Sequence, residues 1–149
     1  MTHRCSSQRC PFRMWSVLGA ALVLWGCSSE TGAIPTFPVQ GQVRFQGQAA
    51  PGAFVVFHPL DPSAQQDVRP TGQAGPDGTF RLTTFDDHDG APEGDYAVTI
   101  EWYKLVGKGA DIQRGPNVVP AKYGKPETTP LRFSVRQGKN DLGPLQITR

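Results

Sequence analysis

The sequence has few of the side chains from which most enzyme active sites are built. It contains 3 cysteines and 3 histidines among 149 residues, and its last cysteine is Cys27. Beyond that point only His58 and His88 are available as an imidazole base or ligand. A disulfide and a cysteine nucleophile are therefore excluded for residues 28–149. Two histidines without paired cysteines make a weak zinc site, and we expect His58 to end a strand with its polar atoms satisfied.

Positive charge is also scarce outside the N-terminal region. Of the 15 basic residues, Arg4, Arg9 and Arg13 precede Cys27, which leaves 12 against the 13 acidic residues of the whole chain. A surface that binds nucleic acid needs lysine and arginine concentrated in a stripe or patch. We therefore expect no nucleic-acid partner. The length of residues 27–149 suits one domain.

No apolar run is long enough to span a bilayer as a stable helix. The longest covers residues 14–25, follows a basic segment without acidic residues and ends at the small residue Gly26. A spanning helix needs about 20 apolar residues, whereas a basic segment, a short apolar segment and a small residue are typical of an export signal. The sequence therefore predicts a signal peptide over residues 1–26.

The end of this signal resembles the lipobox of bacterial lipoproteins. Leu24, Gly26 and Cys27 stand at the family's spacing, whereas Trp25 departs from it, because that position is usually small or β-branched. The resemblance implies a diacylglycerol on the Cys27 thiol, cleavage before this residue and acylation of the new N-terminus. Ser28, the next residue, implies transport to the outer membrane. The alternatives are an ordinary signal peptide with an incidental cysteine and an uncleaved N-terminal anchor.

The rest of the chain has the pattern of a β protein. Residues 27–38 are mostly small and polar, with glycine and two prolines, and are predicted to form a flexible tether. From Val39 onward, short segments alternate apolar and polar residues with period two, and no helical period extends over three turns. Residues 39–149 are therefore predicted to form a single antiparallel β-sandwich of about seven strands. The predicted strands lie near residues 39–45, 53–58, 71–74, 80–83, 96–102, 131–136 and 142–147.

Four short motifs resemble those of carboxypeptidase regulatory-like and transthyretin-like sandwich modules. They are Gly41-Gln42-Val43, Pro51-Gly52-Ala53 before Val55, Asp77-Gly78-Thr79-Phe80 and Gly94-Asp95-Tyr96-Ala97-Val98. The resemblance covers residues 39–100 and implies the transthyretin-like or immunoglobulin-like sandwich, with the Tyr96 ring capping its core. Residues 120–140 look like the tail of bacterial lipoproteins that carry one such domain. Motifs of this kind specify a fold and leave function open.

A cluster of acidic residues follows the fourth predicted strand. Asp86, Asp87, Asp89, Glu93 and Asp95 place five carboxylates within ten residues. Calcium takes six to eight oxygen ligands from such loops, but the spacing is not that of an EF-hand. Acids and glycines between strands also keep a sheet edge soluble. We expect a solvated turn that binds no metal, with a calcium site as the alternative.

The long connection over residues 103–130 has no clear strand pattern. Trp102, Tyr103 and Tyr123 lie in or beside it and are candidates for an aromatic surface that binds a glycan or a peptide. Alternatively, Trp102 and Tyr123 pack beneath the connection as a satellite core.

These features favour a membrane-anchored, non-catalytic envelope lipoprotein. Its sandwich would bind or scaffold an envelope protein or polysaccharide, without a cofactor. One alternative is a purely structural envelope component. The other is a hydrolase-like enzyme with an unrecognised site, although the chain ends Leu-Gln-Ile-Thr-Arg, not in the Tyr-Arg-Gly-Ser of the transthyretin-like hydrolases that cleave a urate derivative.

Overall fold

The computed structural model describes residues 34–61 and 68–149. The export signal, Cys27 and the first part of the tether therefore lie outside the described residues. The described part is built from strands, with short 3-10 helices at Gly109–Asp111 and Ala121–Gly124. The strands are β1 (Thr36–Phe37), β2 (Val39–Phe45), β3 (Gln48–Ala49), β4 (Phe54–Pro59), β5 (Thr71–Gln73), β6 (Thr79–Arg81), β7 (Ala91–Pro92), β8 (Gly94–Glu101), β9 (Tyr103–Val106), β10 (Gln113–Asn117), β11 (Arg132–Val135) and β12 (Asn140–Ile147).

Two four-stranded sheets form the all-β sandwich that the sequence predicts. The β4 sheet has the order β11–β8–β4–β5 and is antiparallel throughout. In the β2 sheet, β12 pairs with one edge of β2, while β3 and β6 pair with different parts of its other edge. β4 is an interior strand of its sheet, as its apolar sequence predicts.

One pairing differs from the antiparallel arrangement that we expected. β12 runs parallel to β2, with Asn140 opposite Val39 and Ile147 opposite Phe45. Parallel neighbours need a crossover connection instead of a tight hairpin. Here the chain leaves β2, passes through the strands of both sheets and returns from β11 in the β4 sheet to β12 in the β2 sheet. β2 and β12 are therefore neighbours in the sheet but distant in the sequence.

Inward-facing residues of both sheets form a common core. Phe57 and Ile100 of the β4 sheet and Val43 and Ile147 of the β2 sheet have no exposed surface. The ring of Tyr96 packs on Phe57 with 5.5 Å between centroids. Its hydroxyl donates to the carbonyl of Pro92 over 2.9 Å. The Tyr96 ring therefore belongs to the core, while its polar atom finds a backbone partner.

The two sheets are also joined along one side. Thr71 and Thr83 exchange backbone hydrogen bonds of 2.9 and 2.8 Å. This bridge links the edge strand β5 to the chain that continues from β6. The bridge places Gln73 of β5 beside the outer face of the β2 sheet. Gln73 and residues of this face line the same cavity.

Part of the predicted tether belongs to the folded domain. Thr36 and Phe37 form β1, which pairs with Pro92 and Ala91 of β7. Gly90 makes this pairing possible, because it has a φ of +96° and the carbonyl of Phe37 occupies the space where a side chain would begin. Strand structure thus begins before residue 39, and residues 27–33 lie outside the described part.

The connection over residues 103–130, in which the sequence shows no clear strand pattern, contains two strands and two 3-10 helices. β9 and β10 form an antiparallel hairpin whose pairing is irregular between Arg114 and Asn117. Residues 104–114 are all exposed, so their strands carry no apolar alternation from which a sequence pattern could reveal them. No helix in the described ranges is long and apolar enough to cross a membrane.

Candidate functional site

The outer face of β2 presents a row of polar side chains. The residues at 39, 41 and 43 are buried, so the period-two alternation of a strand turns Gln40 and Gln42 away from the core. Both glutamines are partly exposed. They lie in the middle of the β2 sheet, with a strand on either side, and are therefore held on a rigid element.

The neighbouring strands extend this row across the sheet. Arg81 of β6 and Asp141 of β12 lie opposite Gln40, one on each side. Thr79 and Pro144 flank Gln42 in the same way. Residues that are far apart in the sequence are therefore brought together by strand register alone.

This face is a groove with a wide part and a narrow part, which we call the outer groove. The wide part encloses about 690 Å³, and the narrow part about 200 Å³. Gln40, Arg81 and His88 line both parts, so the two are continuous. The wide part is lined in addition by Gly41, Gln42, Gln73, Gly75, Thr79, Phe80, Asp141, Gly143 and Pro144, and the narrow part by Pro38, Val39 and Lys139.

Hydrogen bonds hold the side chains of the wide part in place. The Gln40 amide donates to Asp141 over 3.0 Å, and the backbone N–H of Gly143 donates to the same carboxylate over 2.9 Å. The Gln42 amide donates to the carbonyl of Asp77 over 2.7 Å and accepts from Arg44 over 2.9 Å. The polar groups are therefore arranged before any ligand arrives.

The same contacts set the charge of Asp141. The hydrogen bond from Gln40, followed by that from Gly143, lowers the pKa of the Asp141 carboxyl, and Lys139 adds to the effect. Asp141 is consequently ionised at neutral pH and acts as a hydrogen-bond acceptor in the wide part of the groove.

The acidic cluster is organised around Asp89. Its carboxylate accepts hydrogen bonds from the backbone N–H groups of Thr84, Phe85 and Asp86 over 2.7, 3.0 and 3.2 Å. Partial burial acts to raise the pKa of Asp89, but these three donors outweigh it and the pKa is lowered. Sequence reasoning missed this role, in which Asp89 closes its own loop.

Three of the other four acids of the cluster have separate side-chain partners. Glu93 accepts from Gln137 over 3.2 Å, and Asp87 lies 3.6 Å from the Nδ1 atom of His88. Asp95 accepts from Ser134 and pairs with Arg136 over 3.7 Å. Asp86 forms part of the turn through its backbone. In residues 34–61 and 68–149, no three acids, histidines or cysteines are grouped as a metal site would require.

The three aromatic candidates do not form a common exposed surface. Trp102 and Tyr123 are buried, with 8% and 3% of their surface exposed. The indole N–H of Trp102 donates to the carbonyl of Pro51 over 2.7 Å, and its ring lies 5.8 Å from that of Phe45. Both buried rings belong to the core, which is the alternative that the sequence left open. Tyr103 remains partly exposed.

His58 has the structural position that its sequence context predicts. It lies near the end of β4, and its Nε2 atom is 2.9 Å from the hydroxyl of Thr99. Burial lowers the pKa of His58, and the positive charge of Arg69 lowers it further. Thr99 itself is buried, so the pair satisfies two polar groups within the β4 sheet.

Comparisons with known proteins yield only distant structural similarity. No protein-family profile matches the sequence, and no curated protein matches it. A "putative carbohydrate binding protein" from Pseudomonas aeruginosa is 14% identical, with a TM-score of 0.43, over 78% of this chain and 90% of its own.

Two further solved structures are similar to the same extent. A 9R-lipoxygenase from Cyanothece is 14% identical with a TM-score of 0.41, and a DUF3823 family protein from Parabacteroides merdae is 13% identical with a TM-score of 0.38. Each comparison covers 78% of this chain, but only 17% of the lipoxygenase and 46% of the DUF3823 protein. TM-scores below 0.5 do not support an assignment of function.

Proposed function

We propose that the protein is a lipid-anchored, non-catalytic binding module of the cell envelope, and that its outer groove holds a polysaccharide. The observation that carries this proposal is the row of amide, hydroxyl, guanidinium and carboxylate groups across three strands, in which the amides, the hydroxyl and the carboxylate are held by hydrogen bonds. Sugar hydroxyls both donate and accept hydrogen bonds, and this set of side chains offers both. The wide part, about 690 Å³, has the size of a small-ligand site.

Two features of the groove favour binding over glycoside hydrolysis. Among the described residues that line the groove, Asp141 is the single carboxylate, whereas most glycosidases place a pair of carboxyl groups across the bond that is cut. A general acid also needs a raised pKa. Gln40 and Gly143 instead stabilise the ionised form of Asp141.

The membrane anchor is supported by the N-terminal sequence. A basic segment, a short apolar run and Leu24-Trp25-Gly26-Cys27 occur in the order that lipoprotein export requires. At no more than 3.6 Å per residue, Thr36 lies at most about 32 Å along the chain from Cys27. Acyl chains on Cys27 would therefore keep the groove close to the membrane surface.

The anchor is tested by labelling cells with a fatty-acid analogue and separating membrane from soluble fractions. The wild-type chain should take up label and stay with the membranes. Cys27→Ser should take up none, and should appear either in the soluble fraction or as uncleaved precursor. The anchor would be contradicted if the wild-type protein took up no fatty-acid label and its processed N-terminus were not Cys27.

The groove is tested by affinity electrophoresis of the full chain in detergent through gels that contain dextran, mannan, xylan or polygalacturonate. At least one polymer should retard the wild-type chain. Gln40→Ala combined with Gln42→Ala should weaken this retardation at least tenfold, as expected for the loss of several hydrogen bonds of about 1 kcal/mol each. Gln113→Ala on the exposed hairpin is the matched control and should change nothing. Equal weakening by the control, or no retardation by any polymer, would refute the proposal.

A further inference from the structure

Basic side chains from three separate segments meet at the narrow part of the outer groove. Arg81 comes from β6, His88 from the loop that follows it, and Lys139 from the turn before β12. Pro38, Val39 and Gln40 complete the lining, so none of the six lining residues is acidic. A space of about 200 Å³ is thus bordered by two cations, Arg81 and Lys139, and by the imidazole of His88.

Arg81 and Lys139 form no ion pair with an acid of the described residues, although Lys139 acts on the Asp141 carboxylate through its charge. The ion pairs found there join His88 to Asp87 and Arg136 to Asp95. No hydrogen bond within residues 34–61 and 68–149 engages the guanidinium of Arg81 or the ammonium of Lys139. Arginine on a protein surface can pair with a carboxylate or a phosphate through two parallel hydrogen bonds. Both cations are therefore available to a ligand.

The strand register explains why Arg81 is not neutralised by Asp141. Gln40 lies between them, opposite Arg81 on one side and Asp141 on the other. With neighbouring strands about 4.8 Å apart, the backbones that carry the two charges are separated by roughly 10 Å. Asp141 is instead bonded to the Gln40 amide and to Gly143. Gln40 thus lies between Arg81 and Asp141 across the sheet.

We infer that the narrow part of the groove binds the acidic group of an anionic polysaccharide, a carboxylate or a phosphate, while the wide part binds its hydroxyls. This inference rests on the proposed function and specifies its ligand class. Asp141 in the wide part repels an acidic substituent, and the Arg81 and Lys139 side chains attract one. Asp87, in the same loop as His88, lies 3.6 Å from its imidazole. The charge pattern therefore favours an acidic substituent in the narrow part.

The test compares polymers that differ only in charge. The full chain in detergent is titrated at low salt with polygalacturonate and with its methyl ester, which keeps the hydroxyls and removes the negative charge. Mannan and phosphomannan form a second pair. The charged member of at least one pair should bind ten- to a hundredfold more tightly, the range expected for hydrogen bonds to charged groups. The pair that shows the difference distinguishes a carboxylate from a phosphate.

Variants assign this preference to the narrow part. Arg81→Gln with Lys139→Gln should abolish the preference for the charged polymer. Binding of the neutral polymer should weaken far less, only by the contacts of Arg81 in the wide part. Lys108→Gln with Arg114→Gln on the hairpin removes the same number of charges and should preserve the preference.

The outcomes separate the inference from the proposed function. If charged and neutral polymers bind equally and both need Gln40 and Gln42, the inference is wrong and the binding module stands. An equal loss of preference in the hairpin control also overturns the inference, because it shows long-range attraction instead of a site. If no polymer binds, the proposed function itself fails.

Discussion

The outer groove and the region around Trp102 both contain side chains that could contact a sugar, but their strands present these side chains differently. Trp102 follows Tyr96, Val98 and Ile100 at the same two-residue spacing. Its side chain therefore faces the core and is buried, as theirs are. Gln40 and Gln42 lie on the outward-facing side of β2, and their side chains remain partly exposed. At these positions the face of the strand on which a side chain lies determines whether it reaches solvent, even for an aromatic residue suited to stacking on sugars.

The largest expected effect is the loss of stability when the buried Trp102 is truncated. Trp102→Ala should lower the free energy of unfolding by about 3–5 kcal/mol, because it removes a large buried ring and leaves a cavity. Tyr103→Ala, one residue further and partly exposed, should lose about 1 kcal/mol or less, mainly its stacking on Arg114, whose guanidinium carbon lies 3.4 Å from the ring centroid. Urea denaturation measures both. Similar losses for the two variants would contradict the burial of Trp102 as the feature that separates them.

A smaller effect is expected at Asp89. Asp89→Ala removes the acceptor of three backbone N–H groups and should lower the free energy of unfolding by about 1–3 kcal/mol. Asp87→Ala in the same loop removes only the exposed contact with His88 and should cost less than about 0.5 kcal/mol. Equal costs would show that the loop is merely solvated, without Asp89 as its organiser.

The Asp89 effect should also depend on pH with a definite sign. The pKa of Asp89 is lowered in the folded state, so its ionised form stabilises the fold above the unfolded pKa of about 3.9. This contribution is lost as the pH falls from that value through the folded pKa. The difference in unfolding free energy between the wild-type chain and Asp89→Ala should accordingly be constant near pH 7 and shrink below about pH 4. A difference that grows on acidification would contradict this account.

The smallest expected effect is that of calcium. Millimolar calcium should leave the melting temperature of the full chain in detergent unchanged, because four of the five carboxylates of the acidic cluster have separate partners. A site occupied at 100 times its dissociation constant would instead add about 2.7 kcal/mol, which is several degrees for a domain of this size. A rise that magnesium does not reproduce, and that Asp87→Asn with Asp89→Asn abolishes, would establish the calcium site.

The regular strands and one turn could be predicted from sequence because their signals are local. β2 and β8 follow strict alternation, and Gly78 in the turn after β5 has a φ of +82°, a conformation that glycine readily supplies. Asp77 in that turn accepts hydrogen bonds from the N–H and the hydroxyl of Thr79. Each of these features depends only on residues that are close in sequence.

The remaining features depend on contacts between distant residues. The alternation along β8 places Thr99 on the face opposite the core, where the sequence predicts exposure. The residue is nevertheless only 5% exposed, and its hydroxyl lies 2.9 Å from Nε2 of His58 on the neighbouring strand. The outer groove needs the parallel register of β12 and the antiparallel register of β6 on the same strand. No local pattern in the sequence encodes either pairing.

The most direct test of the account is hydrogen–deuterium exchange of the full chain in detergent, with and without the polysaccharide that retards it most strongly. The account predicts slower exchange in the backbone around residues 40–42, 79–81 and 139–144, with no change over residues 102–123. Protection confined to residues 102–123 would contradict it, because the ligand would then lie on the hairpin and not in the outer groove.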